Sequence, residues 1–135
     1  MNASTSADLQ RILAVEDEED IARILELSLG QIGKLDVTLC RNGPDALAVA
    51  EEARPQLLLL DFMMPGMDGL TLMRELRKLP STAETPVIFL TAKSQPNEVQ
   101  EYLDAGAAAV IQKPFDPMGL ADEIRSIWQE LQAAG

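Results

Sequence analysis

The chain has few basic residues, one cysteine and no long apolar run, and each shortage excludes something. Eleven Lys and Arg stand against 22 Asp and Glu, for a net charge of −11. Such a balance repels nucleic acid phosphates, so no nucleic acid partner is expected for this chain. A single cysteine, Cys40, cannot form an internal disulfide and reads as a small buried residue at a strand end. A reduced, cytoplasmic setting agrees with this. No apolar run approaches the roughly 18 residues of a membrane span, so no membrane insertion is expected. The first ten residues lack both the basic start and the apolar stretch of a secretory signal. Residues 1–9 therefore read as a flexible lead-in.

What is present is material for a core. At 135 residues and 47% hydrophobic content the chain fits one domain, expected over residues 10–132. Short apolar runs alternate with helical spacing. Arg11 to Val15 reads as a strand, followed by a helix whose inner stripe is Ile21, Ile24, Leu25, Ser28 and Ile32, closed by Gly33. Leu35 to Cys40 is a second strand. Pro44 then opens a helix that carries Ala46, Leu47, Val49 and Ala50. Leu57 to Leu60 is uniformly apolar, as suits a central parallel strand covered on both faces. Leu70, Leu72, Met73 and Leu76 give a third helix, and Pro86 to Thr91 a fourth strand. Pro96 starts a fourth helix with Val99 and Leu103 inward and Gly106 at its end. Ala108 to Ile111 is the fifth strand. Leu120, Ile124, Ile127, Trp128 and Leu131 form the last stripe, with Trp128 in the core. Tyr102 reads as a surface tyrosine on the fourth helix.

Five strand–helix units with crossovers of this length make parallel strands with helices on both faces. The expected fold class is α/β: a three-layer α/β/α, (βα)5 doubly wound five-stranded parallel sheet of flavodoxin-like type, strand order 2-1-3-4-5. In such sheets ligands bind beyond the carboxyl ends of the strands. Glu16, Asp17, Asp61, Thr91 and Lys113 all follow or end strands at that edge. Two carboxylates about 4 Å apart repel by several kcal/mol at an intermediate dielectric. Lys113 balances one of three negatives, and a divalent cation would balance the rest. Oxygen ligands favour a hard ion, of which Mg²⁺ is the abundant one. A carboxylate held there is also a nucleophile for phosphorus, with the Lys113 ammonium and Thr91 hydroxyl placed for the phosphoryl oxygens. Glu18, Glu19 and Asp20 read as the solvated, dipole-favoured start of a helix.

Four segments together resemble the receiver domain of two-component response regulators, of the chemotaxis-regulator type. They are Val15-Glu16-Asp17-Glu18, the run from Asp61 through Met63 to Gly69, Leu90-Thr91-Ala92 and Lys113-Pro114-Phe115. The resemblance covers about residues 10 to 132. It implies that Asp61 is the phosphoacceptor. It implies that Asp17 and Asp61 ligate Mg²⁺ by carboxylate, Met63 by its backbone carbonyl, and Glu16 through a water. Thr91 and Lys113 match the two switch positions, and Pro114 the place where the family commonly has a cis Lys-Pro bond. The implied phosphate donor is a histidine kinase or a histidine phosphotransfer protein. The implied output is a protein contact made by a monomer or weak dimer, with the downstream target unknown. On this reading the chain is a single-domain regulator and not an enzyme, with only self-phosphorylation and slow self-dephosphorylation.

Three departures stand out. Glu16 occupies a place where the family often has Asp. Val110, three residues before Lys113, stands where a Tyr or Phe usually toggles, and its branched side chain is stiff. Met63 and Lys93 occupy the places that tune phosphate lifetime. Two rival readings are a small phosphatase with an aspartyl-phosphate intermediate and a pseudo-receiver that takes no phosphate. Met63, two residues past Asp61, cannot donate the proton the first would need, and the full set of acids with Thr91 and Lys113 argues against the second.

Overall fold

A computed structural model describes residues 8–92 and 95–134. The strands are β1 (Arg11–Val15), β2 (Asp36–Cys40), β3 (Leu57–Asp61), β4 (Val87–Thr91) and β5 (Ala109–Gln112). The helices are α1 (Glu19–Leu25), α2 (Gly43–Ala53), α3 (Gly69–Leu76), α4 (Pro96–Asp104) and α5 (Leu120–Ala134). All strand pairings are parallel and the order is β2-β1-β3-β4-β5. The expected fold class is the one observed.

Side-chain alternation splits the core into two layers. Ile12, Ala14, Leu57, Leu59, Ile88, Leu90 and Ile111 face α1 and α5, where Leu25, Leu29, Ile124 and Trp128 cover them. Leu13, Val15, Leu58, Leu60, Val87 and Phe89 face α2, α3 and α4. Successive residues of β3 point to opposite faces, and every one of them is buried. That is why Leu57 to Leu60 shows no polar alternation. Cys40 is buried at the end of β2, and burial together with the Asp45 charge pushes its thiol up. Of the proposed lead-in, residues 1–7 lie outside the described residues, while Leu9 is packed in the core.

Two inner stripes differ from the expectation. On the first helix Ala22, Leu25, Ser28 and Leu29 are buried, whereas Ile24 and Ile32 are more than a third exposed. Ile24 lies beside the inner stripe on regular α1, and Ile32 is turned outward by a π-helical continuation over Glu26–Ile32. Its wider turn moves the inner face at its end by one residue, from Ile32 to Gly33. Gly33 rather than Ile32 then lies under α5, so close that a Cβ there would sit 2.6 Å from Ala121 Cβ. Ser28 Oγ donates to the Pro117 carbonyl, tying this turn to the β5–α5 loop. On α4 it is Tyr102 that is buried and Leu103 that is exposed. Tyr102 packs against Phe62 at 4.5 Å and Phe89 at 5.8 Å between ring centroids. The aromatic contacts outweigh the smaller aliphatic burial that Leu103 would make.

Candidate functional site

The register brings the strand ends level. Val15 pairs with both Cys40 and Leu60, Asp61 with Leu90, and Thr91 with Gln112. Glu16 and Asp17 therefore emerge beside Asp61, and Thr91 and Lys113 emerge on its other side. Lys113 N also donates to Thr91 O at 2.9 Å, which joins the two loop starts. The Lys113–Pro114 peptide is cis. Glu16, Asp61 and Thr91 are each 1% exposed or less.

The loop after β3 folds back on its own strand. Asp68 caps α3 by accepting from Thr71 N at 2.8 Å, a contact type worth about 1 kcal/mol. Gly69 N donates to Phe62 O at 2.8 Å. A Cβ on Gly69 would lie 2.6 Å from Asp61 O, so only glycine lets the helix start this close to the strand end. Met63 lies on this loop and is exposed.

One carboxylate oxygen each from Glu16, Asp17 and Asp61 lies within 4.8 Å of the others. Lys113 Nζ donates to Asp61 Oδ1 at 3.0 Å and forms an ion pair with Glu16 Oε1 at 2.9 Å. The second contact lacks hydrogen-bond alignment, and Asp61 Oδ2 is buried with no hydrogen-bond partner. Glu16 Oε2 accepts from Glu18 N at 3.1 Å. Burial first, then the Asp17 and Glu16 carboxylates, push Asp61 up to about 8, with Lys113 pulling the other way. Burial acts to lower Lys113, but pairing with Glu16 and Asp61 outweighs it and the net direction is up.

This arrangement is unbalanced. With all three acids ionised, the carboxylates and the Lys113 ammonium sum to minus two, in a buried place where an unpaired acceptor is costly, and burial with this excess charge is what pushes Asp61 up. Oxygen donors in excess and one orphaned oxygen fit a hard divalent cation. Glu16, Asp17, Asp61, Thr91, Lys113 and Pro114 thus gather at one sheet edge. Lys93 lies outside the described residues. Val110 does not face this site but packs with the Phe62, Phe89 and Tyr102 side of the sheet. One residue beside the acids carried no sequence signal: Arg41, an ordinary exposed arginine after a strand, bonds the carbonyl oxygens of Glu16 and Asp17.

The chain resembles several known proteins. It is 45% identical over 115 residues to the uncharacterized transcriptional regulatory protein YkoG of Bacillus subtilis, covering 85% of this chain and 49% of that protein. It spans about half the length or less of this relative and others such as Caulobacter PleD, of which it covers 26%. Among solved structures, the Vibrio cholerae chemotaxis protein CheY4 superposes with a TM-score of 0.80 at 29% identity, over 88% of this chain and 98% of that one. The receiver domain of the sensor histidine kinase PA1611 from Pseudomonas aeruginosa superposes with a TM-score of 0.75 at 31% identity, over 92% of this chain and 98% of that one. That structure has a magnesium ion coordinated in its active-site cleft. No described helix is long and apolar enough to cross a membrane. The family model of the response regulator receiver domain matches residues 12–125, and the chain belongs to that family of two-component signalling proteins.

Proposed function

We propose that this chain accepts a phosphoryl group on Asp61 in a Mg²⁺-dependent reaction, from a histidine kinase or a histidine phosphotransfer protein. The observation that carries the reading is the Asp61 carboxylate, with one oxygen on Lys113 and the other without a donor beside two further acids. Asp17 and Asp61 would ligate the ion by carboxylate, Met63 by its carbonyl, and Glu16 through a water. The ion would supply charge neutralisation for the incoming phosphoryl oxygens.

The chain's own residues do the rest. An Asp61 carboxylate oxygen attacks phosphorus, the bond from phosphorus to the donor's imidazole nitrogen breaks, and that nitrogen keeps the electron pair. Lys113 and Thr91 are placed to contact the transferred oxygens. Both sit at the starts of the loops after β4 and β5, so new contacts there pull those loops. The result is a switched protein-binding surface in phosphorelay signalling, in a cytoplasmic monomer or weak dimer that does not touch nucleic acid. The acceptor unit is assigned to residues 10–132, with Pro114 structural at the site.

The test is incubation with Mg²⁺ and acetyl phosphate, read by intact mass. The wild type gains one phosphoryl group and Asp61→Asn does not. Equal labelling of both would refute the assignment of Asp61, and no labelling of the wild type would favour a module that takes no phosphate.

A further inference from the structure

Arg41 stands just past β2, next to the strand end that delivers the acid pair. Val15 pairs with Cys40, and Glu16 N donates to Cys40 O at 3.0 Å. From there the Arg41 guanidinium reaches across. Its Nε donates to Glu16 O at 3.1 Å and its Nη2 to Asp17 O at 2.6 Å. Two donors in one rigid plane thus hold two successive carbonyl oxygens. The same guanidinium is in none of the ion pairs formed by the described residues. It binds only the main chain of Glu16 and Asp17 and forms no ion pair with their carboxylates.

We propose that Arg41 is a positioning residue for the dication site: by clamping the main chain of Glu16 and Asp17 it aims both carboxylates at Asp61. The inference rests on the reading of these acids as a Mg²⁺ site. The three acids repel one another, and Glu16 and Asp17 stand in the three-residue link between β1 and α1. Unclamped, that link relieves the repulsion by turning its carboxylates apart. The clamp holds them together before the ion arrives, so less ordering remains to be done on binding.

A second role for a cation here predicts the opposite sign. Arg41 acting only as a charge would repel the incoming ion, and its removal would tighten binding. Acting as a clamp, its removal weakens binding.

The experiment is calorimetric titration of Mg²⁺ into the EDTA-stripped full chain, for the wild type, Arg41→Ala and Arg41→Lys. Thermal unfolding of each without metal, and the acetyl phosphate labelling rate against Mg²⁺ concentration, accompany it. Arg41→Ala is expected to weaken Mg²⁺ binding about tenfold, at the low end for groups that orient metal ligands. Arg41→Lys falls between, because an ammonium can reach one carbonyl but cannot fork. At saturating Mg²⁺ the Arg41→Ala labelling rate returns to that of the wild type. Unchanged or tighter Mg²⁺ binding in Arg41→Ala overturns the assignment, as does a loss of metal-free stability with the affinity intact. Should Arg41→Ala not fold, Arg41→Gln and Arg41→Lys carry the same comparison. A wild type that binds no Mg²⁺ brings down the reading of the site and this assignment with it, whereas equal binding by wild type and variants brings down only the assignment.

Discussion

Lys113 Nζ donates to one oxygen of Asp61 at 3.0 Å and leaves the other, Oδ2, buried without a donor. A single ammonium is thus shared between Asp61 and Glu16 and satisfies neither fully. The stability of the metal-free protein should carry the mark of this shortage.

Asp61 is pushed from 3.8 up to about 8, chiefly by burial and by the carboxylate of Asp17. A raised carboxyl means the folded chain binds more protons than the unfolded one between those two values. Stability therefore falls as pH rises from about 4 to about 8. The chain has no histidine to blur the effect. Urea unfolding at pH 5.5, 6.5 and 7.5 in EDTA should show a decline with pH. Saturating Mg²⁺ should flatten it, and Asp61→Asn should remove it and be more stable than the wild type at pH 7.5. A decline that persists in Asp61→Asn would place the titrating group elsewhere.

Lys113→Ala removes the ammonium that contacts Asp61 and Glu16 and, with all three acids ionised, takes their sum with it from minus two to minus three. In EDTA its melting temperature should drop, because two buried carboxylates lose their partner. Mg²⁺ should restore more stability to the variant than to the wild type. The variant should still take some label from acetyl phosphate, yet show no conformational change on labelling by amide exchange in the β4–α4 and β5–α5 loops. A switch as large as that of the wild type would remove Lys113 from the output.

Much of this was legible in the sequence, and the reasons are physical. Five apolar runs separated by helical spacing leave few ways to cover both sheet faces, so the three-layer parallel architecture follows, while the strand order comes only with the flavodoxin-like type. Acids, a hydroxyl and an ammonium at strand ends converge because parallel strands end on one edge. What escaped was set by local geometry. The π-helical turn at Glu26–Ile32 has no distinct pattern of residue types, so helical spacing predicts Leu25 and Ser28 inward correctly but puts Ile32 where Gly33 lies. Tyr102 reads as a surface residue from its helix alone because its partners, Phe62 and Phe89, lie 40 and 13 positions back in the chain and meet it only in the fold. Arg41 acts through main-chain oxygens, which every residue carries, so no side-chain pattern marks it.

Gly69→Ala should be costly for its size. The added methyl would meet Asp61 O at 2.6 Å and Phe62 Cα at 2.9 Å, both main-chain atoms that cannot turn aside. Overpacking of this kind costs about 1–3 kcal/mol. Because the clash falls on Asp61 itself, labelling by acetyl phosphate should also slow, even at temperatures where the variant is fully folded. Gly30→Ala is the control, since a Cβ there meets nothing within 4 Å. Comparable losses in both variants would mean that adding a methyl to a helical glycine in general, not this close approach, sets the rate.

Tyr102 links α4 to Phe62, the residue next to Asp61. Its ring lies 4.5 Å from that of Phe62, and Phe62 lies edge-on to Phe89 at 5.2 Å. Val110 packs on the same layer, so the ring that fills this space comes from α4 and not from β5. Tyr102→Ala empties a buried site and should destabilise the fold by about 3 kcal/mol in urea unfolding. Tyr102→Leu should recover part of that through aliphatic burial while losing the ring contacts, worth about 1 kcal/mol per pair. With Leu in place, labelling of Asp61 should stay close to normal, because Tyr102 does not touch the carboxylates. The shift in α4 amide exchange on labelling should shrink. An unchanged shift would mean that α4 follows the loop after β4 and takes no signal through Phe62.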